Sequence, residues 1–391
     1  MKVLIIVENL PVPFDRRVWQ EATALKNNGY SVSIICPAMK GYLKKYEIID
    51  NIHIYRHPLP IEGSGVAGYL VEYSSALYYQ FILSLKIFFK RGFDVIHACN
   101  PPDNIFLIGG FYKLFFRKNF LFDHHDINPE LYLAKFGKKD LFYRVMLLWE
   151  KWTFKMADVS IATNESYKEI AIKRGCMKPE NVYIVRSGPD LKRTKKVPGN
   201  DKWKKQKKFL VGYVGVMGAQ EGLDYLLKGI SFLVNVLKRK NIHFILVGGG
   251  TELEQLKTMT EQMKIGAYVT FTGRVSDEIL MEILSTADVC VNPDVVNDMN
   301  NKSTMNKIME YMALGKPIVQ FEMIEGRFSA QKASLYAEPN NHESLIQKVI
   351  EIIDNPEMGR KMGNYGRMRV VSKLQWKHEI PQLLAAYKAL E

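Results

Sequence analysis

The sequence predicts an α/β protein made of two doubly wound, parallel-sheet halves. Three observations carry that reading. Short branched apolar runs alternate with helical patterns on both sides of a basic stretch at 192–208. Glycines recur just after the apolar runs of the second half. The length of 391 residues exceeds what one ordinary core accommodates.

In the first half, residues 3–7 read as a buried strand, followed by a loop containing Pro11 and Pro13. A helical pattern over 15–28 stops at Gly29, and 32–36 is the next strand. Strand, helix, strand at this spacing is a βαβ unit. It continues as strand 95–98, helix 103–116, strand 120–123, helix 139–156, strand 159–162, helix 165–174 and strand 182–185. The pattern restarts with strand 210–214, helix 223–237 and strand 243–247. Strand 269–272, helix 278–285, strand 289–292, a helix within 301–319 and strand 317–321 follow. Residues 375–390 are helical again and fit a segment packing back on the first half. The expected organisation is 1–190, a basic linker at 191–208, a second domain at 209–372 and the returning segment 373–391. Two such halves predict a ligand cleft between them, at the carboxyl ends of the strands.

Net charge is +13, from 54 basic and 41 acidic residues, which implies an anionic partner. Nine lysines and arginines against Asp201 fall in 192–208, with Pro198, Gly199 and Asn200 and no apolar periodicity. That is a solvated linker, and without a recognition motif it argues against nucleic-acid binding. Cys36, Cys99, Cys176 and Cys290 show no paired spacing, so neither a disulfide framework nor a zinc site is expected, and a reducing cytoplasm is. The opening apolar run is too short for a signal peptide. The longest apolar candidate for a membrane span, 76–89, is interrupted by Gln80 and Lys86.

The run NKSTMNKIMEYMALGKPIV at 301–319 carries the most chemistry. Ser303 and Thr304 are N-cap types, and Gly315 and Pro317 end the pattern. Met305, Ile308, Met309, Met312 and Ala313 make one apolar stripe. Free N–H groups over Ser303–Asn306, the positive end of the helix dipole, Lys302 and Lys307 make an anion site. Glu310, two turns above Ser303, suits the hydroxyls of a ribose. Gly215, Gly218 and the Gly248-Gly249-Gly250 run would let backbone N–H groups approach phosphate. Gly273 with Arg274 and Val275 would frame a base. A capped amphipathic core helix and ordinary turns are the plainer account of the same residues.

In the first half Asp123, His124, His125 and Asp126 follow a strand, at a spacing unlike a zinc pattern. His124 or Asp126 in the cleft would bind a substrate hydroxyl or handle a proton. Arg16 and Arg17 lie at the first strand-to-helix loop and could meet a phosphate, and Arg186 ends the last strand of that half.

Taken in order, VRSG at 185–188, GYVGVMG at 212–218, ILVGGG at 245–250, FTGRV at 271–275, MEYMALGKPIV at 309–319 and the terminal Trp376 segment resemble the retaining glycosyltransferases of family 4, over nearly the whole chain. The resemblance implies the GT-B fold, with two Rossmann-like domains facing a central cleft. It implies metal-independent transfer of a sugar, usually from a UDP-linked donor, with retained anomeric configuration. The donor would lie on the second half, its pyrophosphate at Ser303, Thr304, Met305, Asn306, Lys302 and Lys307, its ribose on Glu310 and its base beside Arg274 and Val275. The first half would bind the acceptor through Arg16, Arg17, His125 and Arg186, with His124 near the transferred sugar. No separate cofactor is expected.

Three positions depart from the family pattern. A paired-glutamate motif would place acids at 302 and 310, and the chain has Lys302 and Glu310. Val216 and Glu221 stand where the family often has Arg and Lys. A glycine pair of the first loop is replaced by Pro11, Val12, Pro13 and Phe14. Lys302 and Lys307 are expected to compensate for the charge missing at 216 and 221.

Residues 66–89 with Lys90 and Arg91, and 111–118 with Lys113, mix aromatics with cations. They read either as core helices or as a surface for anionic lipid. The second reading implies a polyprenyl-diphosphate-linked glycan acceptor, as in bacterial surface-polysaccharide assembly, and a peripheral place on the inner face of the plasma membrane. A nucleotide-sugar 2-epimerase of the same fold, or a catalytically silent nucleotide- or membrane-binding partner of a transferase, are the competing functions.

Overall fold

The computed structural model describes residues 1–58 and 65–391. It divides into two compact units, 1–187 with 378–391, and 188–377.

The first unit is built around β1 (Lys2–Ile6), which is buried from Val3 onward. α1 (Arg16–Asn27) begins where the Asp15 carboxylate accepts from the Val18 amide at 3.1 Å. β2 (Ser31–Ala38), β3 (Tyr46–Ile49) and β4 (Ile52–Pro58) follow. β3 and β4 form a hairpin through Asp50 and Asn51, both at positive φ. The long α2 (Gly65–Lys90) leads to β5 (Val95–Cys99), α3 (Phe106–Phe116) and β6 (Asn119–His124). α4 (Asn128–Phe136) ends on Gly137 at positive φ, and α5 (Leu141–Met156) starts at once, capped by Asp140. The helix read from the sequence at 139–156 corresponds to α5, and α4 has no counterpart in that reading. β7 (Val159–Ala162), α6 (Glu165–Lys173) and β8 (Val182–Ile184) complete the run. The strand order is β3-β4-β2-β1-β5-β6-β7-β8, parallel except for the β3–β4 pair. β1 lies between β2 and β5, so the winding reverses there.

The second unit has β9 (Phe209–Val214), α7 (Leu223–Ser231), β10 (Ile242–Val247), α8 (Leu253–Gln262) and β11 (Val269–Gly273). It continues with α9 (Asp277–Thr286), β12 (Val289–Asn292), α10 (Asp298–Lys302), α11 (Asn306–Ala313) and β13 (Ile318–Phe321). α12 (Ile324–Ala330), β14 (Ser334–Ala337), α13 (His342–Asp354) and α14 (Pro356–Arg369) close it. Its sheet is parallel throughout, in the order β11-β10-β9-β12-β13-β14, with the reversal between β9 and β12. The last helix, α15 (Ile380–Lys388), belongs to the first unit, where buried Tyr387 donates to or accepts from His97 at 2.7 Å.

Residues 191–208, read above as a solvated linker, are packed into the second unit. Leu191, Val197 and Trp203 lie against its core, and the indole N–H of Trp203 donates to Glu282 at 2.6 Å. The Val197 and Asn200 amides donate to Ser285 and Thr286 at the end of α9. Lys192, Lys195, Lys196, Lys202, Lys205 and Lys208 are exposed, while Leu191, Val197 and Trp203 anchor the segment.

The aromatic helices α2 and α3 divide residue by residue. Phe81, Phe88, Phe111 and Phe116 interlock, with ring centroids 5.1 Å apart for Phe81–Phe111 and 4.7 Å for Phe88–Phe116. Lys113 Nζ is held by Met156 O at 2.8 Å and Asp158 at 2.6 Å, as in a core helix. Phe89, Leu114 and Phe115 are exposed. The side chain of Val66, part of the lipid-facing reading, lies outside the described ones. Among the described residues no helix is long and apolar enough to cross a membrane.

Candidate functional site

The carboxyl edge of the second sheet is a closed set of backbone contacts. The Gly215 amide donates to Val247 O at 3.1 Å, Met217 to Gly249 O at 3.0 Å, and Gly248 to Gly273 O at 3.0 Å. The loops after β9, β10 and β11 are therefore one surface. Glycine is required in it. Gly248 has φ +133°, and a Cβ there would stand 1.9 Å from the Gly215 carbonyl oxygen. A Cβ on Gly215 would meet the Tyr213 hydroxyl at 2.5 Å, whereas Gly249 faces open space. Gly218 donates its amide to the Glu221 carboxylate at 3.1 Å.

The next strand brings the charged side of this surface. Asp294, buried just after β12, lies 2.8 Å from Lys307 Nζ, and Lys307 also sits 4.9 Å from the Tyr213 ring centroid. Burial raises the Asp294 pKa and Lys307 opposes that rise. Glu221 is likewise raised by burial and lowered by Lys307. Lys307 thus acts on two carboxyls in this corner.

The helix start expected at Ser303 and Thr304 is placed differently. Ser303 ends α10, its hydroxyl donating to Met299 O at 2.8 Å, and α11 begins at Asn306. Met305 is the N-cap and offers no side-chain hydrogen bond, so the first turn of α11 lacks a cap of its own. The break arises because Asn297 caps a separate turn through Asn300, which in turn binds Gln220 O and Val295 O. Lys302 falls on that turn and pairs with Asp298 at 2.8 Å. It is therefore not in the first turn of the helix that carries Lys307 and Glu310.

Glu310 is paired with Arg193, a residue of the basic segment that also lies 3.6 Å from Asp277. Arg193 was not singled out in the sequence, because the segment around it reads as linker. Arg274 is exposed beyond Gly273, and Val275 packs toward the core.

In the first unit the alternation of β6 separates two residues that the sequence grouped. His124 faces inward among Phe122, Phe154 and Tyr167, with centroids 5.4, 5.2 and 5.0 Å away. Burial lowers its pKa to about 3, so it is a neutral core side chain in this structure rather than one open to a substrate. Asp123 faces the other side, into a buried cluster. Arg17 binds it at 2.8 Å and also binds His125 Nε2 at 2.9 Å, Val185 O at 2.9 Å and Ser187 Oγ at 3.1 Å. His125 also contacts Asp123 directly. Glu21 is 3.1 Å from Arg17, and His97 is 3.3 Å from Asp123. Burial would raise the Asp123 pKa, but Arg17 and His125 more than offset it and hold the carboxyl well below its usual range. Burial raises Glu21 well above its usual value against the pull of Arg17. The two carboxyls that flank the guanidinium are thus shifted in opposite directions.

Arg17 and His125, expected on the acceptor side, are committed to this cluster. Arg16 is exposed at the start of α1. The Arg186 amide donates to Glu379 at 2.9 Å. Asp126 is raised by burial, and its backbone is fixed by Asn100, whose side chain spans His125, Asp126 and Asp103. Two groups, His97–Cys99–Asp123 and Glu21–Asp123–His125, bring ligand-type atoms within 4.8 Å of one another. The Arg17 guanidinium already supplies a positive charge there, and burial keeps the Cys99 thiol protonated.

Both halves match glycosyltransferase profiles, described as Glycosyltransferase Family 4 over residues 15–193 and Glycosyl transferases group 1 over 208–355. Sucrose-phosphate synthase from Thermosynechococcus elongatus superposes with a TM-score of 0.78 at 19% identity, covering 100% of this chain and 99% of that one. Anabaena HepE in complex with UDP and glucose gives 0.76 at 14%, covering 99% of each. The fold is GT-B. Among curated proteins, mannosylfructose-phosphate synthase of Agrobacterium fabrum is 25% identical over 59% of this chain and 53% of its own. Alpha-D-kanosaminyltransferase of Streptomyces kanamyceticus is 20% identical over 46% of each. The chain spans about half the length of the curated relatives it matches. It is thus related to glycosyltransferases of the GT-B type.

Proposed function

We propose that the chain is a retaining, metal-independent glycosyltransferase that moves a sugar from a UDP-linked donor to a lipid-linked glycan acceptor. The observation that carries this is the joined surface of the β9, β10 and β11 loops beside the uncapped start of α11 and Lys307. The open backbone at Gly249, a helix N-terminus and one lysine suit a diphosphate. HepE, which superposes over the whole chain, is a complex with UDP, and WaaG, a glycosyltransferase of lipopolysaccharide biosynthesis, superposes at 0.73.

In this reading the diphosphate oxygens meet the Asn306–Lys307 end of α11 and the open Gly249. Glu310 holds the ribose hydroxyls while Arg193 orients its carboxylate. Arg274 and Val275 border the base. The bond between the anomeric carbon and the diphosphate breaks, the acceptor oxygen bonds to that carbon, and its proton leaves with the diphosphate. Charge building on the leaving diphosphate is stabilised by Lys307 and the helix end, which is the main electrostatic contribution. The acceptor is assigned to the first unit, around Arg16, Asp126 and Arg186.

The test is transfer from labelled UDP-sugars to a prenyl-diphosphate-linked saccharide in the presence of EDTA, with the product anomer read by NMR. Retained configuration supports the reading, and an inverted product overturns the retaining step. Sugar epimerised at C2 with no acceptor consumed would favour the epimerase instead. The pairing of Glu310 with Arg193 and of Lys307 with Asp294 is the observation that keeps a silent nucleotide-binding partner in play. Nucleotide binding without turnover would identify it.

A further inference from the structure

Helix α5 is apolar on two sides. Its inner residues Phe142, Val145, Met146 and Trp149, with Leu131 and Phe136 of α4, line a pocket of about 90 Å³ that opens to solvent. The polar floor is already engaged with itself: the Asp103 carboxylate accepts from Asn100 and from Asn128, both at 2.8 Å. What the pocket offers a ligand is mainly aliphatic and aromatic surface.

The outer side of the same helix has an unusual composition. Its exposed residues are Leu141, Arg144, Leu148, Lys151, Trp152 and Lys155. Their spacing places them on one stripe. Leu141, Leu148 and Trp152 are 71%, 51% and 37% exposed, and Lys155 Nζ lies 4.7 Å from the Trp152 ring centroid. The stripe contains no acid. The acids nearby, Glu130 and Glu150, are both taken by Arg174, at 2.6 and 2.5 Å. Asp140 is used as the cap of α5, and the turn before it exposes Lys138 and Lys139. Leucine and tryptophan interleaved only with cations fit an anionic lipid surface. An apolar pocket directly behind such a face fits a chain drawn from that surface.

We propose that the α4–α5 pocket takes the first isoprenoid units of a lipid-linked acceptor, with the phosphate of that lipid met by Lys138 and Lys139. This rests on the acceptor being lipid-linked, as read above, and gives that acceptor a specific seat. The outer stripe of α5 rests on the anionic membrane from which the lipid comes.

The test titrates the full chain with geranylgeranyl phosphate and follows tryptophan fluorescence, with Trp149→Phe to assign the signal. A saturable change that disappears in Trp149→Phe is expected. Met146→Trp, which fills the pocket, should weaken binding at least about tenfold. The surface double variant Lys138→Glu/Lys139→Glu should weaken it similarly and gives a second reading if Met146→Trp does not fold. Inorganic diphosphate should produce no change. Equal affinity in wild type and the folded variants, or no Trp149 signal, overturns the assignment. Dioctanoyl phosphatidic acid binding as tightly as the prenyl phosphate would make the pocket a general phospholipid seat and also overturns it. UDP-induced thermal shifts on the same samples report the second unit. Prenyl-phosphate binding without a UDP response would sink the transferase and leave the pocket standing, and the reverse result would do the opposite.

Discussion

Lys307 Nζ and Asp294 Oδ1 lie 2.8 Å apart at the carboxyl edge of the second sheet, the aspartate buried and the lysine nearly so. A cation held this way is pre-positioned for phosphate but partly neutralised. Lys307→Ala should therefore weaken UDP binding by about tenfold, a loss typical of one charge-assisted contact. Asp294→Asn should lower the apo melting temperature, because it leaves a buried lysine unpaired. It should also enlarge the UDP-induced shift, because the nucleotide now supplies the missing anion. A UDP shift unchanged in both variants places the diphosphate elsewhere.

Lys302 gives a sharper case. It sits on α10 with Asp298, a surface pair of small worth. If it swings to the diphosphate and compensates for the charge missing at Val216 and Glu221, Lys302→Ala weakens donor binding with little change in melting temperature. An unchanged donor dissociation constant in calorimetry would sink the compensation.

Gly248 tests the loop architecture without touching a charge. Its φ of +133° and its contact with Gly215 leave no room for a side chain. Gly248→Ala should cost roughly 3 kcal/mol or more in denaturant unfolding. Gly249→Ala, with open space around it, should cost under about 1 kcal/mol. Equal costs would refute the close approach of the two loops.

Two buried groups set opposite pH limbs in the first unit. Burial, with Glu72 nearby, raises Glu8 to about 8 from an ordinary 4.5. A raised folded pKa gives stability that is fully present below the unfolded value and is lost as pH rises toward 8, on the order of 4 kcal/mol. Glu8→Gln should flatten the decline of melting temperature between pH 5 and 8 (about the window set by those two values).

His124 runs the other way. Its folded pKa of about 3 lies below the ordinary 6.5, so the stability it contributes is present above 6.5 and lost as pH falls through 3. His124→Phe, which suits its ring of aromatic neighbours, should flatten the acid limb and leave transfer largely intact. A loss of more than about a hundredfold in kcat with normal folding would restore a catalytic role to His124.

Much of this was legible in the sequence. The strand runs and strand-end glycines are local signals, and the loops after β9, β10 and β11 join in the structure. What escaped depended on partners distant in sequence. Arg193 reaches Glu310 across 117 positions, and Arg17 reaches Asp123 across 106. No local pattern announces either pair. His124 was misplaced because four ionisable residues in a row look like one group, while strand alternation turns Asp123 and His124 to opposite faces. The start of α11 shifted because Asn297 and Asn300 build a separate turn, an arrangement made by tertiary hydrogen bonds to Gln220 and Val295.

The most direct measurement is a thermal-shift panel of UDP, GDP, ADP, CMP and UDP-sugars, with and without EDTA, on wild type and Lys307→Ala. A UDP-selective rise that survives EDTA and shrinks in Lys307→Ala is predicted. No rise with any nucleotide would contradict a nucleotide-sugar site at this edge.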